Sequence, residues 1–90
     1  MPYVLVISPT AEAVLDHILE QHPSPDLIDA IDALFDRLAR SPVTLMREYP
    51  RFAGLPFVAG SYANFCFTFV FRFMEDEARI EILDVGFLEL

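Results

Sequence analysis

The stretch from Asn64 to Met74, Asn-Phe-Cys-Phe-Thr-Phe-Val-Phe-Arg-Phe-Met, constrains the fold of this chain more than any other. Phe65, Phe67, Phe69, Phe71 and Phe73 stand at every second position, separated by Cys66, Thr68, Val70 and Arg72. Alternate side chains of a β-strand project to opposite faces, so this spacing puts all five rings on one side. On a helix the same spacing would scatter them around the circumference. The pattern predicts a long central strand whose aromatic face must be covered by helices. The opposite face, carrying Cys66, Thr68 and Arg72, is mixed in polarity and is the candidate working surface.

The upstream sequence supplies the cover. Tyr3 to Ile7 is a continuous apolar run that reads as a short strand buried on both faces. Ser8-Pro9 then gives an N-cap followed by proline at the first helical position. Ala11, Val14, Leu15, Ile18 and Leu19 repeat at helical spacing, with Glu12, Asp16 and Glu20 opposite, and the helix stops near His22-Pro23. Ser24-Pro25 repeats the start signal, with Asp26 at the positive end of the helix dipole. Leu27, Ile31, Leu34, Phe35 and Leu38 form the second apolar stripe, Arg37 and Arg40 occupy the last turn, and Ser41-Pro42 ends the helix. Asp29, Asp32 and Asp36 make an acidic outer ridge, either simply solvated or a dock for a basic partner. The two helices form a hairpin.

From Ser41 to Ala63 the punctuation by Pro42, Pro50, Gly54, Pro56 and Gly60 predicts mostly loop, with a short edge strand at Leu55 to Ala59. After the long strand, Glu75-Asp76-Glu77 reads as a polar turn and Ala78 to Val85 as a last alternating strand. The apolar tail Phe87-Leu88-Glu89-Leu90 must tuck back or meet a partner. The expected fold is one α+β domain over residues 1–90, of order β-α-α-β-β-β, its helical hairpin packed on one face of a small, mostly antiparallel sheet. The crossover through the hairpin is expected to place the first strand parallel to the long one, and the other sheet face stays open.

Bulk properties narrow the function. A hydrophobic content of 54% argues against disorder. No apolar run approaches the ~20 residues of a membrane span and no charged segment precedes a signal-like core, so a cytoplasmic protein without membrane contact is expected. The single cysteine, Cys66, excludes an internal disulfide and reads as buried and inert rather than reactive. His17 and His22 do not share a helical face, so neither a metal site nor a cofactor is expected. A net charge of −8 would repel the phosphates of RNA or DNA, which argues against a nucleic-acid partner.

The element order, and the run Phe67-Thr68-Phe69-Val70-Phe71, acidic turn, Ile80-Glu81-Ile82-Leu83-Asp84-Val85-Gly86, resemble the RelE/ParE superfamily of bacterial toxins from toxin–antitoxin pairs. By element order the resemblance spans the whole chain; at the level of motif it covers the last third. It implies the two-layer fold above and two modes of action. Ribosome-dependent mRNA endonucleases of the family use arginine and lysine to hold mRNA and stabilise phosphate charge. Here Thr68 stands where an arginine is expected, Phe87 and Leu88 follow Val-Gly where two basic residues are expected, and residues 57–61 read Phe-Val-Ala-Gly-Ser. These side chains cannot supply the electrostatic stabilisation that phosphoryl chemistry needs. ParE-like members, linked to inhibition of DNA gyrase, act by protein binding and need no catalytic set. The resemblance therefore implies a toxin-fold protein whose partner is an antitoxin-like or target protein. The alternatives are an mRNA endonuclease with a relocated basic site built from Arg47, Arg51, Tyr62 and Arg72, or a non-toxic homodimeric relative.

The candidate binding residues follow from these readings. Arg47, Tyr49 and Arg51 form a basic–aromatic cluster in the loop region, suited to an acidic partner or phosphate. Tyr62 precedes the long strand and is expected to line the same face as Thr68. Arg72 either anchors a carboxylate of a partner or pairs across the strands with Glu81. Phe87 completes the set, in a tail that fills or borders an apolar groove.

Overall fold

The computed structural model of the chain describes residues 3–40 and 48–90. The described residues form strand β1 (Val4–Ile7), helices α1 (Pro9–Gln21) and α2 (Pro25–Ala39), and strands β2 (Arg51–Phe52), β3 (Leu55–Tyr62), β4 (Phe65–Met74) and β5 (Arg79–Glu89). The sheet order is β1-β5-β4-β3-β2, with β1 parallel to β5 and every other pair antiparallel. The α+β class and the helical cover are as expected, and the element order differs from the expected β-α-α-β-β-β by one additional two-residue strand, β2.

Both helices start as their sequences specify. The Ser8 hydroxyl accepts the Ala11 N–H at 3.2 Å and lies 3.3 Å from the Leu83 carbonyl as its donor, tying the start of α1 to β5. The Ser24 hydroxyl accepts the Leu27 N–H at 3.4 Å. Ala11, Leu15 and Ile18 of α1 and Leu27, Ile31, Leu34 and Leu38 of α2 are buried, while Asp29, Asp32 and Asp36 face solvent. α1 packs chiefly over β5 and α2 over β3, so the hairpin straddles β4.

The five phenylalanines of β4 share the covered face. Phe67, Phe69 and Phe71 are at most 2% exposed. Each of the five rings meets another aromatic ring. Phe73 lies 5.0 Å from Tyr3, Phe71 5.6 Å from Tyr49, Phe69 4.6 Å from Phe35, Phe67 5.8 Å from Phe69, and Phe65 5.3 Å from Phe87. Edge-to-face and offset geometries at such separations add to the area that is buried.

Four expectations are corrected. First, β1 pairs with β5 rather than with the long strand, because short hairpins to β3 and β5 occupy both edges of β4. Second, β1 is buried on one face only: Val4 and Val6 are 64% and 42% exposed on the side away from the helices. Third, the strand expected at Leu55 to Ala59 runs to Tyr62 and pairs along β4, with β2 outside its first residues. Gly60, read as punctuation, lies inside it because a Cβ there would stand 2.6 Å from the Phe67 ring and 3.2 Å from Leu34. Fourth, the last strand does not stop at Val85 with a tail that tucks back: β5 continues through Glu89, and the Leu90 N–H donates to the Asn64 carbonyl at 2.7 Å. The helix stop assigned to Ser41-Pro42 lies outside the described residues; α2 ends at Ala39, with Arg40 as its C-cap.

β5 also carries a bulge. Val70 stands opposite Asp84 and Phe71 opposite Ile82, so Leu83 is the extra residue. Ile80 and Ile82 before it and Val85 after it are all buried, although three positions rather than two separate Ile82 from Val85. Without the bulge, Val85 and Phe87 would turn outward.

Two substitutions test this packing. Gly60→Ala drives a methyl into the Phe67 ring and is expected to destabilise by about 1–3 kcal/mol in denaturant titrations. Ala63→Gly relieves a residue held at φ 53° in the β3–β4 turn and is expected to stabilise by about 0.5 kcal/mol.

Candidate functional site

With one face of β4 sealed by rings, the other is the open face of the sheet. Adjacent rows of side chains cross it. Phe57 on β3, Val70 on β4 and Asp84 on β5 are in register, followed by Ala59, Thr68 and Gly86, and then Ser61, Cys66 and Leu88. Phe57, Val70 and Asp84 of the first row and Thr68 and Gly86 of the second, together with Phe52 from β2, line a shallow cavity of about 290 Å³ whose surface is mostly apolar. That volume is at the lower end of the ~300–1,000 Å³ usual for small-molecule sites.

The floor of the cavity depends on Gly86. A Cβ there would stand 2.5 Å from the Thr68 hydroxyl oxygen, so the missing side chain lets Thr68 lie over β5. The bulge turns Asp84 onto the open face in the same row as Val70, although it stands two residues after the inward Ile82. The Asp84 carboxylate accepts the Val85 N–H at 2.9 Å through Oδ1 and makes no ion pair with any described residue. Phe52, 70% exposed at the tip of the β2–β3 hairpin, stands over the same end of the cavity.

The far end of this face is electrostatically closed. Arg79 lies between Glu77 and Glu81, with its Nη2 at 2.8 Å from a carboxylate oxygen of each. Arg72 stands opposite Glu81 in the β4–β5 register, but the expected cross-strand pair is not formed because Glu81 is engaged by Arg79. Arg72 is exposed and makes no ion pair with any other described residue.

The residues singled out from the sequence separate between the two faces. Thr68 and Arg72 are on the open face, and of these Thr68 is in the cavity. Tyr62 is not on that face. It alternates with Val58 and Gly60 on the helix side, where its hydroxyl donates to Asp26 at 3.1 Å and ties the end of β3 to the start of α2. Phe87 is also on the helix side, against Phe65 and 5.3 Å from the His22 ring, so it belongs to the core edge rather than to a groove. Tyr49 packs edge-on against Phe71. Arg51, exposed, donates to the Gly54 carbonyl at 3.2 Å across its own hairpin. Arg47 lies outside the described residues. Tyr62 and Arg72 lie on opposite faces of the sheet.

Phe52, Phe57, Val70, Asp84 and Gly86 were not among the sequence candidates. The signal that points to Asp84 is the broken alternation in Ile82-Leu83-Asp84-Val85, which requires a bulge. Phe57 and Phe52 become visible only once β3 is known to pair with β4. Among the described residues no three of His, Cys, Asp or Glu are grouped for a metal ion, and no helix is long and apolar enough to cross a membrane.

Hydrogen bonding to the Asp26 carboxylate, reinforced by desolvation and by the carboxylate charge, raises the Tyr62 phenol above its ordinary 10.0. The bond therefore contributes its full stability below pH 10.0 and loses it as the pH rises through the raised value. The melting temperature of Tyr62→Phe is expected to lie slightly below that of the parent chain near neutral pH, and the gap to close in strong alkali. A gap that persists unchanged in alkali would mean that the hydroxyl contributes nothing through Asp26. No family model, curated protein or solved structure matches this chain.

Proposed function

We propose that this chain is a RelE/ParE-like toxin-fold protein that acts by binding another protein, an antitoxin-like or target protein, through the open face of its sheet. The observation that carries this reading is the chemistry of that face. It presents a shallow apolar cavity with Phe52 70% exposed in its lining, Leu88 59% exposed in a neighbouring row, and Val4 and Val6, 64% and 42% exposed, along its β1 edge. Apolar surface of this kind, rimmed by polar residues, suits protein contact. Its cations do not form a phosphate site: Arg79 is neutralised by two glutamates, and Arg72 is a single charge beyond the cavity lining. Cleavage of RNA would need several positive groups converging on one phosphate. The net charge of −8 acts against such a substrate at longer range. The relocated nuclease site is disfavoured by its own geometry, since its described members diverge. The element order supports the toxin-fold assignment, which rests on the resemblance.

Induced expression in a bacterial host, following growth with labelled methionine and thymidine, tests this reading. Growth is expected to slow with thymidine incorporation falling first, in the parent chain and equally in Arg51→Ala and Arg72→Ala. Val70→Glu, at the centre of the open face, is expected to abolish the effect while circular dichroism shows the fold retained. A prompt fall in methionine incorporation that Arg72→Ala removes would replace protein binding by RNA cleavage. Normal growth with both labels unchanged would leave a non-toxic relative of the fold.

A further inference from the structure

We infer that the open-face cavity is a socket for one basic side chain, an arginine carried by an exposed basic segment of the partner protein. This rests on the partner-binding reading and names the partner's chemistry. Three features converge on the occupant.

The first is the row Phe57, Val70, Asp84. Neighbouring strands are about 5 Å apart, so a group seated over Val70 has a phenyl ring on one side and a carboxylate on the other, each one strand away. A planar guanidinium suits both neighbours: it stacks on an aromatic face and donates in a fork to a carboxylate. The second is the state of Asp84. Its Oδ1 takes the Val85 N–H, and no described arginine pairs with the carboxylate. It is therefore an anion beside an apolar surface, placed there by the bulge. The third is size and charge. About 290 Å³, floored by Thr68 and Gly86 and overhung by Phe52, accommodates one long side chain better than a drug-sized ligand. A chain of net charge −8 attracts a basic segment to the neighbourhood of the socket. The Thr68 hydroxyl is available as an acceptor for a further guanidinium N–H.

An arginine fits better than a lysine because a compact, strongly hydrated ammonium gains less from a ring face at an exposed site. The acidic ridge Asp29, Asp32 and Asp36 on α2 is exposed and Asp36 is paired with Arg40 at 3.1 Å, and none of the three lines a cavity with an aromatic ring, so the ridge attracts basic segments without selecting the guanidinium shape.

The test is a titration of the isotope-labelled chain with the peptide acetyl-Gly-Arg-Gly-amide, read by amide chemical shifts, against the same peptide with neutral citrulline in place of arginine. Shifts are expected at Val70, Thr68, Asp84 and Gly86 with the arginine peptide only. Asp84→Asn keeps the acceptor for the Val85 N–H and removes the charge; it is expected to weaken binding about tenfold, the effect of one charge-assisted hydrogen bond. Asp32→Asn, which removes the same unit of net charge from α2, is expected to leave binding nearly unchanged. Phe57→Leu supplies a second variant that keeps bulk and loses the ring face, and it is also expected to weaken binding. Equal responses to the two peptides, shifts centred on α2, or equal losses in Asp84→Asn and Asp32→Asn would overturn the socket. If the growth effect is lost in Val70→Glu but the arginine peptide does not bind, the inference fails and the partner-binding reading stands.

Discussion

Burial of one aromatic strand face is the constraint on which this structure depends. Five phenyl rings on alternate positions of β4 remove a large apolar area from water in a small domain. The helical hairpin is the cover, and its two buried stripes converge on that face. Each ring is met by another aromatic ring, from Tyr3 at one end of the strand to Phe87 at the other. Small residues keep this arrangement close-packed. Gly60 makes room for Phe67, much as Gly86 makes room for Thr68 on the opposite side.

The same alternation that seals one face defines the other. Whatever stands between the phenylalanines must point outward, so Thr68 and Val70 become the centre of an open surface. The bulge in β5 lets the two requirements coexist. It keeps Ile80, Ile82 and Val85 inward, and it presents Asp84 outward beside Val70. Structure and candidate function thus share one local device: the extra residue that keeps the core in phase also places a carboxylate next to an apolar recess.

Much of the fold was legible because its signals are local and periodic. The Ser-Pro starts, the two helical stripes and the phenylalanine alternation each specify an element without reference to the rest of the chain. Strand neighbours were less legible. Pairing of β1 with β5 follows from which edges the hairpins leave free, and no single segment encodes that. Gly60 reads as a break because glycine in a strand is judged by propensity, whereas the ring of Phe67 directly opposite it on β4 demands it. The site was the least legible part. Thr68 was named from the alternation, but its partners come from three other strands. Tyr62 falls on the face opposite to Thr68 because the turn at Ala63 shifts the phase between β3 and β4, and the bulge at Leu83 does the same for Phe87 within β5. Arginines drew attention as the carriers of function, yet those described prove to be engaged locally or isolated.

Cys66, the only cysteine, is half-buried rather than buried as its sequence context suggests, and it gives direct access to the central claim because it lies on the outward side of β4 between Ser61 and Leu88. The measurement is its rate of reaction with a small thiol reagent as denaturant is raised through the range below the unfolding transition. The account predicts that labelling proceeds from the folded state, with a rate almost flat across that range. A rate that instead climbs in step with global unfolding would mean that the outward face of β4 is closed, and would contradict the account.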